Sequence, residues 1–277
     1  KDGQILFPVE GWKLASVDRE GGIPPGGFLG PAIPATIQGG ERSRARIMVA
    51  ASGDGKYAYV SGLGKPTVYR VKLPERTGAE PFFGEGASAS DKQLAGNPGG
   101  LAIDGKGNLL VADPAGKRVV VVGEADGKFV GSFAADRPDC LGADPATEAV
   151  YVSQPAGRGV EVVKYSGWKD AAVVARTKLE KGGGNPEFAG VMALDASSRP
   201  PVVWVGLESG ALLRTEDLGA KFSDAKDANP RQGGYFEDLT VDHIRNEVYC
   251  ADWSRYSEAE GKWQGLSLRG TDGWIQQ

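Results

Sequence analysis

Asn97-Pro98-Gly99-Gly100-Leu101-Ala102-Ile103-Asp104, continued by Gly107-Asn108-Leu109-Leu110-Val111-Ala112-Asp113, decides the fold, because degraded copies of it recur along the chain. Aligned on the Asp that ends the first apolar run, the copies anchor at Asp104, at Asp144 in LGADPATEAVYVSQ, at Asp195 in VMALDASSRPPVVWVG and at Asp242 in DLTVDHIRNEVYCAD. Ser52 holds the same place in MVAASGDGKYAYVSG. Successive anchors lie roughly 40 to 52 residues apart, the period of a four-stranded propeller blade and too long for a leucine-rich repeat. A unit of this size cannot bury its apolar face alone and must stack on copies of itself.

Each copy reads as a hairpin: a short alternating run, a turn of Gly, Asp, Asn or Lys, then a β-branched or aromatic run such as YAYV, NLLVAD, AVYVS, VVWVG or EVYCAD. A third strand follows in PTVYRVKL, RVVVVGE, GVEVVKY and GALLRTED, and KFVGSF supplies a fourth. The expectation is one all-β domain over residues 1–277, a β-propeller of about six four-stranded blades with five inner hairpins clear. The sixth blade must come from the ends. Residues 1–40 hold ILFPV and WKLASV, and the C-terminus offers GLSLRG and GWIQQ. A blade assembled from both termini would close the ring and remove free sheet edges. Alternatively the chain is part of a longer propeller, and a start at Lys1 without Met is expected of a processed or trimmed chain.

Composition agrees. Gly at 42 and Pro at 17 of 277 residues supply turns, and 40% hydrophobic residues supply a core. No apolar run approaches the ~18 residues of a membrane helix, so no membrane insertion is expected. Cys140 and Cys250 fall at different strand positions two units apart and are expected to be buried thiols.

These residues resemble a known family. The pattern P-x-G-L-A-I-D, then G-N-L-L-V-A-D, then R-V-V-V-V looks like an NHL-type blade, and SGDGKYAYVSG resembles the related YVTN-type blade. The resemblance covers most of residues 45–255 and is sharpest over 97–133. It implies a β-propeller and little about activity, since such blades serve many functions. Bacterial chains that resemble this one are often exported, which sets the expected location outside the cytoplasm, periplasmic or secreted. Some NHL propellers bind RNA. Here the net charge is −4, and Arg42, Arg44 and Arg46 form only a short run beside Glu41, so no nucleic-acid partner is expected. The one histidine, His243, excludes close analogy to propellers that hold zinc through several His or use a His dyad. It falls in a hairpin turn.

Propeller geometry says where function should lie. Loops leading into first strands and loops leaving second strands share one face, around the central channel, while the first hairpin turns lie on the other. The anchors Asp104, Asp144, Asp195 and Asp242 fall in those turns and are expected to bind turn amides. The lead-in positions are Asn97, Asp139, Glu187, Glu237 and Asp238, and the exits are Ser61, Asp113, Ser153, Glu208 and Asp252. Most are carboxylates, opposed by Arg137. Converging carboxylates repel unless a cation relieves them, which points to calcium or another divalent ion. The other resolution is capping of strand ends, or pairing with Arg and Lys across blades.

Resemblance to gluconolactonase-type propellers implies a metal-dependent alternative. Those hold one divalent ion through Glu, Asn and Asp, and Asn97, Glu237 and Asp252 have the right residue types at the expected face, with Asp113 a further metal candidate there. The family's Asn-Gly-Leu segment is absent, because Pro98-Gly99-Gly100 separates Asn97 from Leu101. Aromatics offer a second route: Trp253, Arg255, Tyr256 and Trp263 fall in WSRYSEAEGKWQG, read as a long loop on the channel-mouth face, and Trp, Tyr and Arg are enriched at binding hot spots. The sequence therefore supports a non-enzymatic binding scaffold for a protein or small ligand. The alternative is a divalent-metal-dependent lactonase or related hydrolase.

Overall fold

The computed structural model describes residues 5–9, 13–17, 29–33, 47–62, 64–73, 77–87, 94–181, 190–207, 209–228, 239–242, 247–250, 254–257 and 262–265. All regular elements among them are strands, and no helix is long and apolar enough to cross a membrane. The first blade has three strands, β1 (Ile5–Val9), β2 (Lys13–Val17) and β3 (Leu29–Ala32). Blade two comprises β4 (Met48–Ala51), β5 (Tyr57–Ser61), β6 (Thr67–Lys72) and β7 (Thr77–Gly84). Blade three follows with β8 (Leu101–Ile103), β9 (Asn108–Asp113), β10 (Arg118–Gly123) and β11 (Phe129–Ala134). Blade four holds β12 (Leu141–Ala143), β13 (Val150–Ala156), β14 (Gly159–Tyr165) and β15 (Val173–Leu179). Blade five is β16 (Val191–Asp195), β17 (Val202–Gly206), β18 (Leu212–Glu216) and β19 (Lys226–Asp227). Blade six is β20 (Leu239–Asp242), β21 (Glu247–Cys250), β22 (Ser254–Ser257) and β23 (Lys262–Gly265).

Within each blade, consecutive strands pair antiparallel in chain order. The first strands β1, β4, β8, β12, β16 and β20 pack against one another in succession. This is the β-propeller that the repeat predicts. The segment before residue 40 does form a blade, and its expected completion by GWIQQ lies outside the described residues.

Strand alternation explains why second strands carry unbroken apolar runs, such as LLVA in β9 and VVWV in β17. In β9, Leu109 and Val111 pack towards blade two with Tyr59 and Phe83, while Leu110 and Ala112 pack towards blade four with Leu141 and Val152. In β17, Val203 and Val205 join blade four, and Trp204 joins Leu239 and Val248 of blade six. A sheet covered on both faces reads as a continuous hydrophobic run because neither side chain set meets water. Trp204 and Trp168 are packing residues: Trp204 is fully buried and Trp168 lies against the core between blades three and four. Cys140 is a buried thiol whose Sγ lies 3.8 Å from the Gly190 carbonyl oxygen.

One correction concerns WSRYSEAEGKWQG. Its residues Ser254–Ser257 and Lys262–Gly265 are the third and fourth strands of blade six, not a long recognition loop. Tyr256 faces Trp263 across the pair, and Arg255 faces Gln264. The blade period required two more strands there, and β-compatible S-R-Y-S and K-W-Q-G satisfy it with residues 258–261 as the connection.

The glycine pair in the opening motif sets blade spacing. Gly100 N–H donates to the Asp139 carbonyl at 2.5 Å, across the junction between blades three and four. A Cβ at Gly100 would stand 2.7 Å from both Asp139 O and Cys140 Cα, so only glycine admits this approach. Gly100→Ala is therefore expected to lower stability by about 1–3 kcal/mol through forced backbone movement. Thermal unfolding checks this, and an unchanged melting temperature would contradict it.

Candidate functional site

The two ends of the blades differ in how their charges are used. At the end carrying the first hairpin turns, the repeat anchors bind their own turns. Asp104 Oδ1 accepts the amides of Lys106 at 2.7 Å and Asn108 at 3.0 Å. Asp144 Oδ1 accepts the Ala146 amide at 3.0 Å, and its Oδ2 accepts the Thr147 hydroxyl at 2.8 Å. Ser52 plays the part with its hydroxyl, which accepts the Tyr57 amide at 2.9 Å and donates to Asp54 at 2.7 Å. The Lys56 amide, then the Ser52 hydroxyl and the Lys56 ammonium, hold the Asp54 carboxyl down at about 2. His243, between β20 and β21, lies outside the described residues.

Charges at this end also join blades. Lys106 pairs with Glu148, and Arg199 stands 4.0 Å from Asp144. A second-strand tyrosine reaches into the next blade twice: Tyr59 donates to the Glu124 carbonyl at 3.0 Å, and Tyr151 donates to the Asp217 carboxylate. Lys164 Nζ lies 2.7 Å from that same carboxylate oxygen. Burial first, and the bond to Asp217 second, push the Tyr151 phenol far up, so it stays protonated and donating. These interactions describe a structural face.

The opposite end carries the loops leading into first strands and leaving second strands. Several expected site residues are here and are committed to the backbone. Asn97 is exposed, and its Oδ1 accepts the Gly64 amide of blade two at 3.0 Å. The Ser61 hydroxyl donates to the Gly99 carbonyl at 2.6 Å. The Ser153 hydroxyl accepts the Cys140 amide at 2.9 Å. Asp113 is wholly buried, with Oδ2 accepting from Arg118 Nε at 2.9 Å and Oδ1 from the amides of Ala95 and Gly116, each at 3.2 Å. A carboxylate without accessible surface, bound by a guanidinium and two amides, presents no free oxygen at a channel mouth. Of the remaining metal candidates, Glu237 and Asp252 lie outside the described residues, as do Glu187, Glu208, Asp238 and Trp253. Among the described residues no group of three or more His, Cys, Asp or Glu is placed to hold a metal ion.

This face also presents two exposed arginines, beside exposed carboxylates such as Glu85, Asp136 and Glu180. Arg137, in the loop leading into β12, is exposed and held at φ +44°, a left-handed backbone conformation uncommon for a side-chain-bearing residue. Arg158 is exposed in the turn between β13 and β14. Neither pairs with a carboxylate among the described residues. Arg158 lines a surface depression of about 500 Å³ with Lys178, Glu180 and Lys181. Lys178 pairs with Glu180 at 2.7 Å, and Lys181 pairs with Asp227 of blade five. The floor depends on Gly159, where a Cβ would stand 2.2 Å from the Leu179 carbonyl oxygen and 2.6 Å from Glu180 Cβ. The absence of that Cβ lets the 178–181 segment close over the turn.

Arg158, Lys178 and Lys181 were not legible as a site from sequence, although a usable signal exists. Arg158 sits between Gly157 and Gly159 at a second-strand exit, the position that propeller geometry assigns to the channel-mouth face. The other second-strand exits are marked by polar and acidic residues, and the lysines are brought in only by the fourth strand.

No family model matches the chain, and no curated protein matches it. Solved structures share its fold. A chain of a nidogen/laminin complex superposes with a TM-score of 0.65 at 16% identity, over 95% of this chain and 92% of that one. A streptogramin B lyase superposes at 0.60 with 14% identity, over 98% and 81% of the two chains. A catalytically inactive variant of virginiamycin B lyase from Staphylococcus aureus, with quinupristin, superposes at 0.58 with 10% identity, over 95% and 83%. These likenesses establish the propeller architecture.

The turn anchors make a pH prediction. Burial alone would raise the Asp195 carboxyl, but hydrogen bonds from the hydroxyls and amides of Ser197 and Ser198 outweigh it and hold the group below the ordinary aspartate range. A depressed carboxyl contributes stability fully present above its unfolded value and lost as pH falls through its folded value. Asp195→Asn is thus expected to cost about 1–2 kcal/mol at neutral pH, with the gap closing below the ordinary aspartate range. Urea unfolding of both proteins across an acid series reads this directly, and a gap independent of pH would contradict it.

Proposed function

We propose that this chain is a non-enzymatic binding scaffold, an NHL-like propeller that engages a protein or small ligand through its channel-mouth face at blade four. The observation that carries the reading is the pair Arg137 and Arg158 at the loop end, both exposed and without a carboxylate partner among the described residues, whereas Lys117, Arg118, Lys178 and Lys181 at the same end are each ion-paired. Exposed guanidiniums without internal partners contribute little to stability and are suited to an external one. A loop face on a rigid scaffold is also where recognition is ordinarily placed.

A chain of similar fold occurs in a nidogen/laminin complex, which supports partnership with protein as a use of this architecture. The NHL-like character of the 97–133 unit supports placing the chain outside the cytoplasm, as in exported chains of that type. Trp253 belongs to the same proposed face by its position at a second-strand exit.

The test is a ligand and protein-partner screen on the immobilised full chain. It compares wild type with an Arg137→Ala, Arg158→Ala double variant and with a Lys106→Ala, Lys128→Ala variant of the opposite face. Binders are expected to lose about tenfold or more in affinity for the loop-face variant and to retain it for the turn-face variant. Binders insensitive to the loop-face changes, or sensitive to the turn-face changes alone, would overturn the assignment.

A further inference from the structure

We infer that the depression lined by Arg158, Lys178, Glu180 and Lys181 recognises carboxylates of an acidic peptide segment, an inference that rests on the binding-scaffold reading and names its ligand. The depression, about 500 Å³, is of the size that admits side chains of a bound segment. Among the described residues its lining carries three cations and one carboxylate, in a chain whose net charge is −4. Lys178 and Lys181 are already paired with Glu180 and Asp227, so the cluster keeps one positive charge in excess, that of Arg158, which an incoming anion would meet.

The geometry of the donors selects the anion. Arg158 offers a planar fork that matches a carboxylate through two parallel N–H···O bonds. Each lysine ammonium has three donors. The bonds of Lys178 to Glu180 and of Lys181 to Asp227 leave further N–H groups on each, while fixing where those groups stand. Glu180 also works against a dense polyanion. A nucleic-acid backbone requires a stripe of unopposed cations along its phosphates. A single pocket with its own carboxylate, on a negatively charged protein, fits singly charged side chains spaced along a peptide.

The probe is a fluorescein-labelled oligoglutamate peptide titrated with the full chain and followed by anisotropy, with an oligouridylate of equal length in parallel. Wild type is expected to bind oligoglutamate, with affinity falling as the Debye length shortens from about 10 Å at ~0.1 M salt to about 3 Å at ~1 M. Arg158→Ala is expected to weaken binding about tenfold and Lys106→Ala by less than about twofold. Glu180→Gln removes the opposing carboxylate and is expected to tighten binding about threefold, a gain that misfolding cannot produce.

Three results overturn the inference. If oligoglutamate fails to bind wild type while the loop-face dependence in the screen persists, the ligand class is wrong and the scaffold reading stands. If oligouridylate binds as tightly with the same Arg158 dependence, the pocket is a phosphate site. If Arg158→Ala and Glu180→Gln leave oligoglutamate binding unchanged, the pocket is not the site.

Discussion

Burial of each central blade on both of its faces is the constraint from which the rest of this structure follows. A four-stranded sheet of this length has two apolar surfaces, and neither is covered unless a copy of the sheet lies on each side. The second strands show the consequence, with successive residues of β9 and β17 entering different inter-blade cores. Packing at that density fixes the distance between blades, and Gly100 meets it by bringing its backbone against Asp139 and Cys140. Once the inner strands are set, the chain has only the two ends of each blade left for anything other than packing.

Those ends have been put to different uses. At the hairpin-turn end, Asp104, Asp144 and Asp195 close turns, and Tyr59 and Tyr151 tie one blade to the next. At the loop end, the polar residues nearest the strands are also spent on backbone amides and carbonyls, which is why Asn97 and Asp113 are structural in their observed contacts. Among the exposed side chains beyond this layer are Arg158, Lys178 and Lys181 of blade four. On the proposed reading, the scaffold would separate stability from recognition by depth as well as by face.

The sequence was most informative where a residue's role repeats with the blade. Anchors such as Asp104 and second strands such as NLLVAD and VVWVG announce themselves because the same physical demand recurs at each copy. The third and fourth strands of blade six were hidden for the opposite reason: SRYS and KWQG carry aromatic and charged residues that also suit a binding loop, and only the pairing of Tyr256 with Trp263 distinguishes the two. The depression at blade four was hidden more deeply. Arg158 comes from the turn after β13, whereas Lys178 and Lys181 come from the end of β15 and just beyond, so their meeting is a product of strand return and not of any local motif.

The division between a structural face and a recognition face is tested most directly by amide hydrogen exchange on the wild-type chain with and without bound oligoglutamate. The account predicts slowed exchange at residues 135–139, 155–159 and 178–181, with the turns at 104–108, 144–149 and 195–199 unchanged. Protection at those turns, or protection that avoids blade four, would contradict it.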